Sequence, residues 1–173
     1  AQDAAKKVKV DYEVLDFVVD EEAARQEDSP LADKGGNLNT RNSRERGDID
    51  QGFKEANAIH EAKYFTPTNT HSCLETHGCV AEFKDGELTV WFSTQNLWGM
   101  QKSVSNSGNM PLSKTRVITQ HMGGGFGSKL FGEEFADMCV KMAKKTGRPV
   151  KFMVDRYFDS VAWGNKPAAH MHV

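Results

Sequence analysis

Residues 115–129 read TRVITQHMGGGFGSK. The alternation over 115–120 predicts a strand that runs straight into His121–Lys129, where four of nine residues are glycine. A helix is expected just beyond, over 133–145. Glycine removes the Cβ atoms that would hold a bulky partner away, permits φ > 0, and lets consecutive N–H groups turn toward one anion. Strand, glycine turn and helix N-terminus together predict a seat for a phosphate or a similar oxyanion. Two familiar cradles do not fit. The P-loop pattern needs glycine directly before lysine, and Ser128 stands there; a dinucleotide fingerprint counted from Gly123 puts Ser128 at its third glycine. The competing reading is a tight turn needed only for packing. Each glycine forfeits about 0.5–1 kcal/mol relative to alanine in regular structure. A mere turn seldom needs three in a row, so the spacing favours an anion or cofactor site.

Working outward, Phe135, Met138, Cys139 and Met142 fall at i, i+3, i+4 and i+7 and predict one buried helical stripe. Gly147 should end that helix, with Pro149 just beyond, and 150–154 should return as a strand. Upstream, 80–83 and 88–93 read as strands flanking Lys84-Asp85-Gly86-Glu87, a hairpin turn carrying Asp-Gly. Residues 97–105 read as a helix and 58–65 as a strand. In VKVDYEVLDFVV, residues 8–19, Val8, Val10, Tyr12 and Val14 alternate with polar residues, the pattern of a half-buried strand. A short helix start is expected over 20–24. From about 25 to 57 the chain is polar, with few large apolar residues, and reads as a connector between two units. A hairpin beside a strand–helix–strand unit, with no internal repeat, predicts an α+β (mixed α/β) class.

The chain has 173 residues, enough for an ordinary core. A formal charge of −2 gives no basic excess to favour nucleic acid. No apolar run approaches the roughly 18 residues of a membrane span. The N-terminus is charged and then strand-like, which is not a signal-peptide pattern. It begins with Ala rather than Met, so the chain is expected to start inside a longer product. Cys73, Cys79 and Cys139 form no CxxC pair, and an odd count argues against a complete disulfide framework.

Several polar groups stand out. His71-Ser72-Cys73-Leu74-Glu75-Thr76-His77 carries two His, a Glu and a Cys. A metal site is one reading, but the spacing is wrong for the zinc-protease helix. The favoured reading is an irregular connection whose polar side chains hydrogen-bond the backbone, with Cys73 and Cys79 as small buried thiols. In Ser93-Thr94-Gln95-Asn96, Thr94 or Asn96 suits a helix cap, whereas Gln95 is a poor cap. A neutral amide there can donate to a ligand oxygen without adding charge. Lys129 reads equally as a phosphate screen or a surface lysine. His170 and His172 read as solvent or strand-edge residues, and Trp91 and Trp98 as core or interface aromatics.

These pieces occur in a known order. HSCLETHGCVAEF, a hairpin, LTVWFSTQN and then GGGFGSK resemble the molybdopterin-binding large subunit of the molybdenum hydroxylases, the xanthine dehydrogenases and aldehyde oxidoreductases. VKVDYEVLDFVVDEEAA is similar to the end of that family's preceding hammerhead domain, and TGRPVKFMVDRYFDS to the segment after its glycine loop. The resemblance covers nearly the whole chain apart from the polar connector. It implies that Gln95 hydrogen-bonds an oxo group of the molybdenum centre. It places Phe126 and Gly127 beside the metal, with Gly124 and Gly125 supporting close approach of the loop. No metal ligand is implied among the side chains, because in the family the pterin holds the molybdenum. Some xanthine-oxidising members carry Glu directly after the Gly-Gly-Lys; here that place is Leu130, which argues against purine recognition through that position.

The resemblance implies a piece of a larger subunit. Residues 1–43 would close a hammerhead-like domain with its connector, and 48–173 would begin the molybdopterin-binding domain. The parent reaction implied is hydroxylation of an aldehyde or N-heterocycle carbon with oxygen from water. Hydride passes to a molybdenum sulfido ligand, and electrons leave through 2Fe-2S clusters. Those clusters, and any FAD, would lie on other domains or subunits. Implied partners are the remainder of the large subunit, the iron–sulfur and FAD-carrying subunits, and a small-molecule substrate. The family's general-base Glu lies far downstream and has no counterpart up to Val173, so the chain alone is expected to be inactive. The nucleotide form of the pterin is not read from these residues. Two other readings stay open at this point: a non-catalytic interaction module of the same fold, and a domain binding nucleotide phosphate at the glycine loop.

Overall fold

The computed structural model describes residues 2–32, 34–37, 43–131 and 134–173. They divide into two compact units, residues 1–62 with Val173, and residues 63–172.

In the first unit, α1 (Gln2–Ala5) precedes residues 8–19, whose backbone is irregular rather than a strand. Tyr12 and Val14 are more than four-fifths exposed. A strand exists only as part of a hydrogen-bonded ladder, and among the described residues this alternating stretch has no partner strand. A 3-10 turn at Ala23–Arg25 stands where a short helix start was expected. The polar connector is not featureless. It holds α2 (Ile49–Glu55), capped by the Asp48 carboxylate, which accepts from Gln51 N–H at 2.9 Å. None of α2 is buried, in keeping with the connector's composition.

The second unit carries the core. Its strands are β1 (Lys63–Thr66), β2 (Gly78–Lys84), β3 (Glu87–Phe92), β4 (Thr115–Ile118), β5 (Val150–Met153) and β6 (Ala169–His172). Its helices are α3 (Leu97–Gly108), α4 (Glu134–Thr146) and α5 (Arg156–Ala162). The main sheet has the order β4-β3-β2-β5, with β3 and β4 parallel and the other pairs antiparallel. β1 and β6 form a separate antiparallel ribbon, which places His170 and His172 on an exposed strand. The predicted hairpin is present, with Asp85 and Gly86 both at positive φ, the conformation an Asp-Gly turn supplies. Helices and mixed sheet together make the α+β class.

Cys79, Ala81, Leu88, Val90 and Phe92 form one face of the β2–β3 hairpin and meet Met100 and Val104 of α3. The buried stripe of α4 differs from the expected one. Phe135 and Cys139 are buried, but Met138 and Met142 are 52% and 54% exposed. Ala136, Val140 and Ala143 take their place. Small residues let the helix approach the sheet closely, so α4 turns its Ala/Val ridge inward and leaves the longer methionines outside. Gly147, at φ +64, closes α4 by donating to Ala143 O at 2.9 Å, as its position after the helix predicts. The start of the predicted helix at Glu133 lies outside the described residues. No helix among the described residues is long and apolar enough to cross a membrane.

Candidate functional site

Strand direction gathers the site. β3 and β4 are parallel neighbours, so the segments leaving their C-terminal ends, 93–96 and 119–130, emerge at the same end of the sheet. β2 is antiparallel to β3, which brings the loop before it, 71–77, to that end as well. β5 is antiparallel to β2, and delivers the start of α5 there too. Ligands of such sheets sit beyond the carboxyl ends of parallel strands.

The Ser93–Asn96 turn and the glycine loop are bound to each other along their length. Gln95 Oε1 accepts from Gly127 N at 2.9 Å and from Lys129 N at 3.3 Å. Gln95 N donates to Lys129 O at 2.8 Å, where Thr94 Oγ1 donates as well, at 3.1 Å. Asn96 caps α3 through Gly99 N and donates from Nδ2 to Leu130 O at 3.1 Å. With its oxygen held by two backbone donors, the exposed Gln95 carboxamide presents its NH2 edge outward. Gly125 permits this, because a Cβ there would lie 2.4 Å from Gln95 Oε1. Gly127 is required by its backbone instead, at φ +98. Gly124 lies over the Phe126 ring and beside Cys73, and Gly123 abuts Glu75. Phe126 is a non-glycine residue at φ +49 with 72% of its surface exposed. The N–H groups of Gly124, Gly125 and Phe126 make no hydrogen bond among the described residues, whereas those of Gly123, Gly127, Ser128 and Lys129 have protein acceptors.

Lys129 is neither a phosphate screen nor a surface lysine. It is 1% exposed. Its Nζ donates to Ser93 Oγ at 2.9 Å, to Glu75 O at 3.0 Å and to Glu75 Oε2 at 3.2 Å. Glu75 Oε2 also accepts from Ser93 Oγ at 2.5 Å and Gly123 N at 2.8 Å. Burial alone would raise the Glu75 carboxyl, but the donors Ser93, Gly123 and Lys129 outweigh it and hold the group below the ordinary carboxylate range.

A second buried charge supports the same loop. His77 Nδ1 lies 2.6 Å from Asp159 Oδ1, and Nε2 lies 3.3 Å from Ser128 O. The ring stacks on Trp163, with centroids 4.9 Å apart. Asp159 also accepts from His77 N–H at 2.8 Å and from Arg156 at 3.2 Å. Burial pushes Asp159 upward, and the bonds to His77, with the charges of His77 and Arg156, bring it below its usual range. Arg156 in turn donates to Leu74 O at 2.8 Å. The 71–77 segment is therefore an irregular connection bonded to backbone and loop, with Cys73 and Cys79 buried and neither in a disulfide among the described residues. Among the described residues no His, Cys, Asp or Glu set is grouped to hold a metal ion.

The profile of the molybdopterin cofactor-binding domain family matches residues 32–173. This chain belongs to that family. As a molybdopterin cofactor-binding domain, it is 34% identical over 169 residues to the xanthine dehydrogenase/oxidase of Felis catus, covering 96% of this chain and 12% of that protein. It is 31% identical over 172 residues to the nicotinate dehydrogenase large molybdopterin subunit of Eubacterium barkeri, covering 99% of this chain and 40% of the subunit. The chain therefore spans well under two thirds of either relative. The solved structure of quinoline 2-oxidoreductase from Pseudomonas putida 86 superposes with a TM-score of 0.77 at 27% identity, over 95% of this chain and 21% of that one.

The residues of this molybdopterin cofactor-binding domain suit such a ligand. A neutral amide donor and three N–H groups that have no protein acceptor among the described residues suit an oxygen-rich ligand in their chemistry, and exposed Phe126 offers an apolar face. Gln95, Gly124, Gly125, Phe126 and Gly127 are thus brought into one assembly. Trp98, 83% exposed, and half-exposed Trp91 stand outside the core. Glu75, Ser93, His77 and Asp159 were not singled out as loop supports by sequence reasoning.

Proposed function

We propose that this chain forms the cofactor-facing wall of a molybdenum hydroxylase large subunit, with Gln95 donating from Nε2 to an oxygen of the metal centre. Phe126 and Gly127 line the metal end, and Gly124 and Gly125 let the backbone approach. The observation that carries this reading is the double hydrogen bond to Gln95 Oε1, which leaves the amide one role toward a ligand, that of donor. The cofactor, when bound, supplies the redox chemistry that hydroxylates an aldehyde or N-heterocycle carbon with oxygen from water. The residues of this chain orient and bind; the general base would come from a further part of the subunit. Iron–sulfur clusters and any FAD would belong to other domains or subunits. Residues 1–43 would close a hammerhead-like domain and 48–173 begin the cofactor domain.

The test is Gln95→Ala in the subunit that carries this chain. Molybdenum and pterin content should hold or fall modestly, while kcat falls at least about tenfold, a loss of about 1.4 kcal/mol of transition-state stabilisation. Unchanged kcat with full molybdenum would overturn the assignment of Gln95. The 173-residue chain by itself should show no turnover.

A further inference from the structure

The donor role of Gln95 does not explain why an ammonium group is sealed beneath the glycine loop. All three Lys129 ammonium protons have protein acceptors, on Ser93, the Glu75 carbonyl and the Glu75 carboxylate. A phosphate screen is excluded by that saturation, and a surface lysine by burial. Filling space does not require the charge either, since methionine has similar bulk and no desolvation cost. What methionine lacks is three directional donors.

The geometry shows what those donors connect. The Glu75 oxygen that meets Nζ also grips Gly123 N–H at the start of the loop. The main chain of Lys129 grips Gln95 on both sides, receiving Gln95 N–H at its carbonyl and donating its own N–H to Gln95 Oε1. Ser93, which meets Nζ, lies two residues before Gln95 in the same turn. One residue thus ties the loop's beginning, its end and the Gln95 segment together.

We infer that Lys129 is the positioning residue of this site: its ammonium, clipped to Glu75 and Ser93, holds the Gly127 and Lys129 N–H groups against Gln95 Oε1 and so keeps the carboxamide NH2 turned outward. The significance of that orientation rests on the reading of Gln95 as a donor to the cofactor; the hold on the loop does not.

The test uses the assembled subunit that carries this chain, with two variants. Lys129→Met removes the clip and leaves Glu75 without its cation. Lys129→Met combined with Glu75→Gln removes both charges, leaves no buried charge unpaired, and serves where the single variant does not fold. Hydrogen exchange at the amides of Gly127 and Lys129 should quicken about tenfold or more in both, while the melting temperature falls in the single variant and recovers in the double. The double variant should keep a lowered kcat at near-parental KM, and its crystal structure should show Gln95 in more than one orientation. Parental exchange in the single variant overturns the inference. So does a double variant whose exchange returns to the parental rate along with its melting temperature, the behaviour of a merely structural ion pair. Gln95→Ala separates the two claims: normal kcat there overturns the donor reading, while quickened exchange in the Lys129 variants still assigns the loop's restraint to Lys129.

Discussion

The Gln95 carboxamide occupies the space that a side chain on Gly125 would need. A Cβ on Gly125 would lie 2.4 Å from Gln95 Oε1 and 2.5 Å from Cδ. Gly125→Ala should therefore displace Gln95, lowering both stability, by about 1–3 kcal/mol, and molybdenum content per subunit. Gly127→Ala meets nothing nearer than 3.9 Å and suffers only from its positive φ, so it should cost about 1 kcal/mol and spare more of the bound metal. Thermal melts with metal analysis on both variants check the contrast; equal metal loss would contradict it.

Phe126 stabilises little of the protein it belongs to. The residue is 72% exposed and its φ is +49. Phe126→Gly should leave stability unchanged or raise it by up to about 1 kcal/mol, by relieving the left-handed backbone. The same variant should weaken cofactor retention or turnover. Loss of stability together with function would show that the ring is a packing residue.

Asp159 hydrogen-bonds a buried imidazole. Asp159→Ala strands the His77 ring, 2% exposed, and Arg156 without their carboxylate. Breaking one side of such a buried pair costs about 3–5 kcal/mol. Asp159→Asn keeps the volume and one acceptor oxygen and should cost less. Denaturant unfolding of the two variants ranks them; a loss below about 1 kcal/mol for alanine would mean that the pair behaves as a surface contact.

Acid should loosen the loop. Glu75 and Asp159 both titrate below their ordinary values of 4.5 and 3.8 in the folded protein. A carboxyl group depressed on folding contributes its full stabilisation above its unfolded pKa, and that contribution is lost as pH falls through the folded value. The melting temperature should therefore fall on the acid side of these ordinary values, and less steeply in Glu75→Gln and Asp159→Asn. Stability gained on acidification in that range would have the wrong sign.

Much of the second unit was legible because local chemistry determines it. Asp85-Gly86 selects its hairpin turn, Asn96 caps α3, and Gly147 ends α4, each through bonds to near neighbours. Pattern misled where two faces competed. On α4, Met138 and Met142 have the correct helical spacing, yet Ala136, Val140 and Ala143 are buried because small residues fit nearer the sheet. On residues 8–19 the alternation is genuine, but a strand needs a partner, and a single segment does not carry one. Inside the connector, Asp48 caps α2, a helix that the polar composition of the segment did not predict.

By itself the sequence determined the order of the motifs and the lack of Cβ atoms in the glycine run, and it was the resemblance of that order to the molybdenum hydroxylases that implied one cofactor site shared with the segment holding Gln95. Only the tertiary structure decided how the two meet. The parallel pairing of β3 with β4 brings their ends together, Gly125 yields its volume to Gln95, and Lys129 turns inward to Glu75 and Ser93. Those outcomes depend on desolvation and on directional bonds between residues remote in the chain. A charged side chain beside four glycines does not reveal which way it will point until its acceptors are in place.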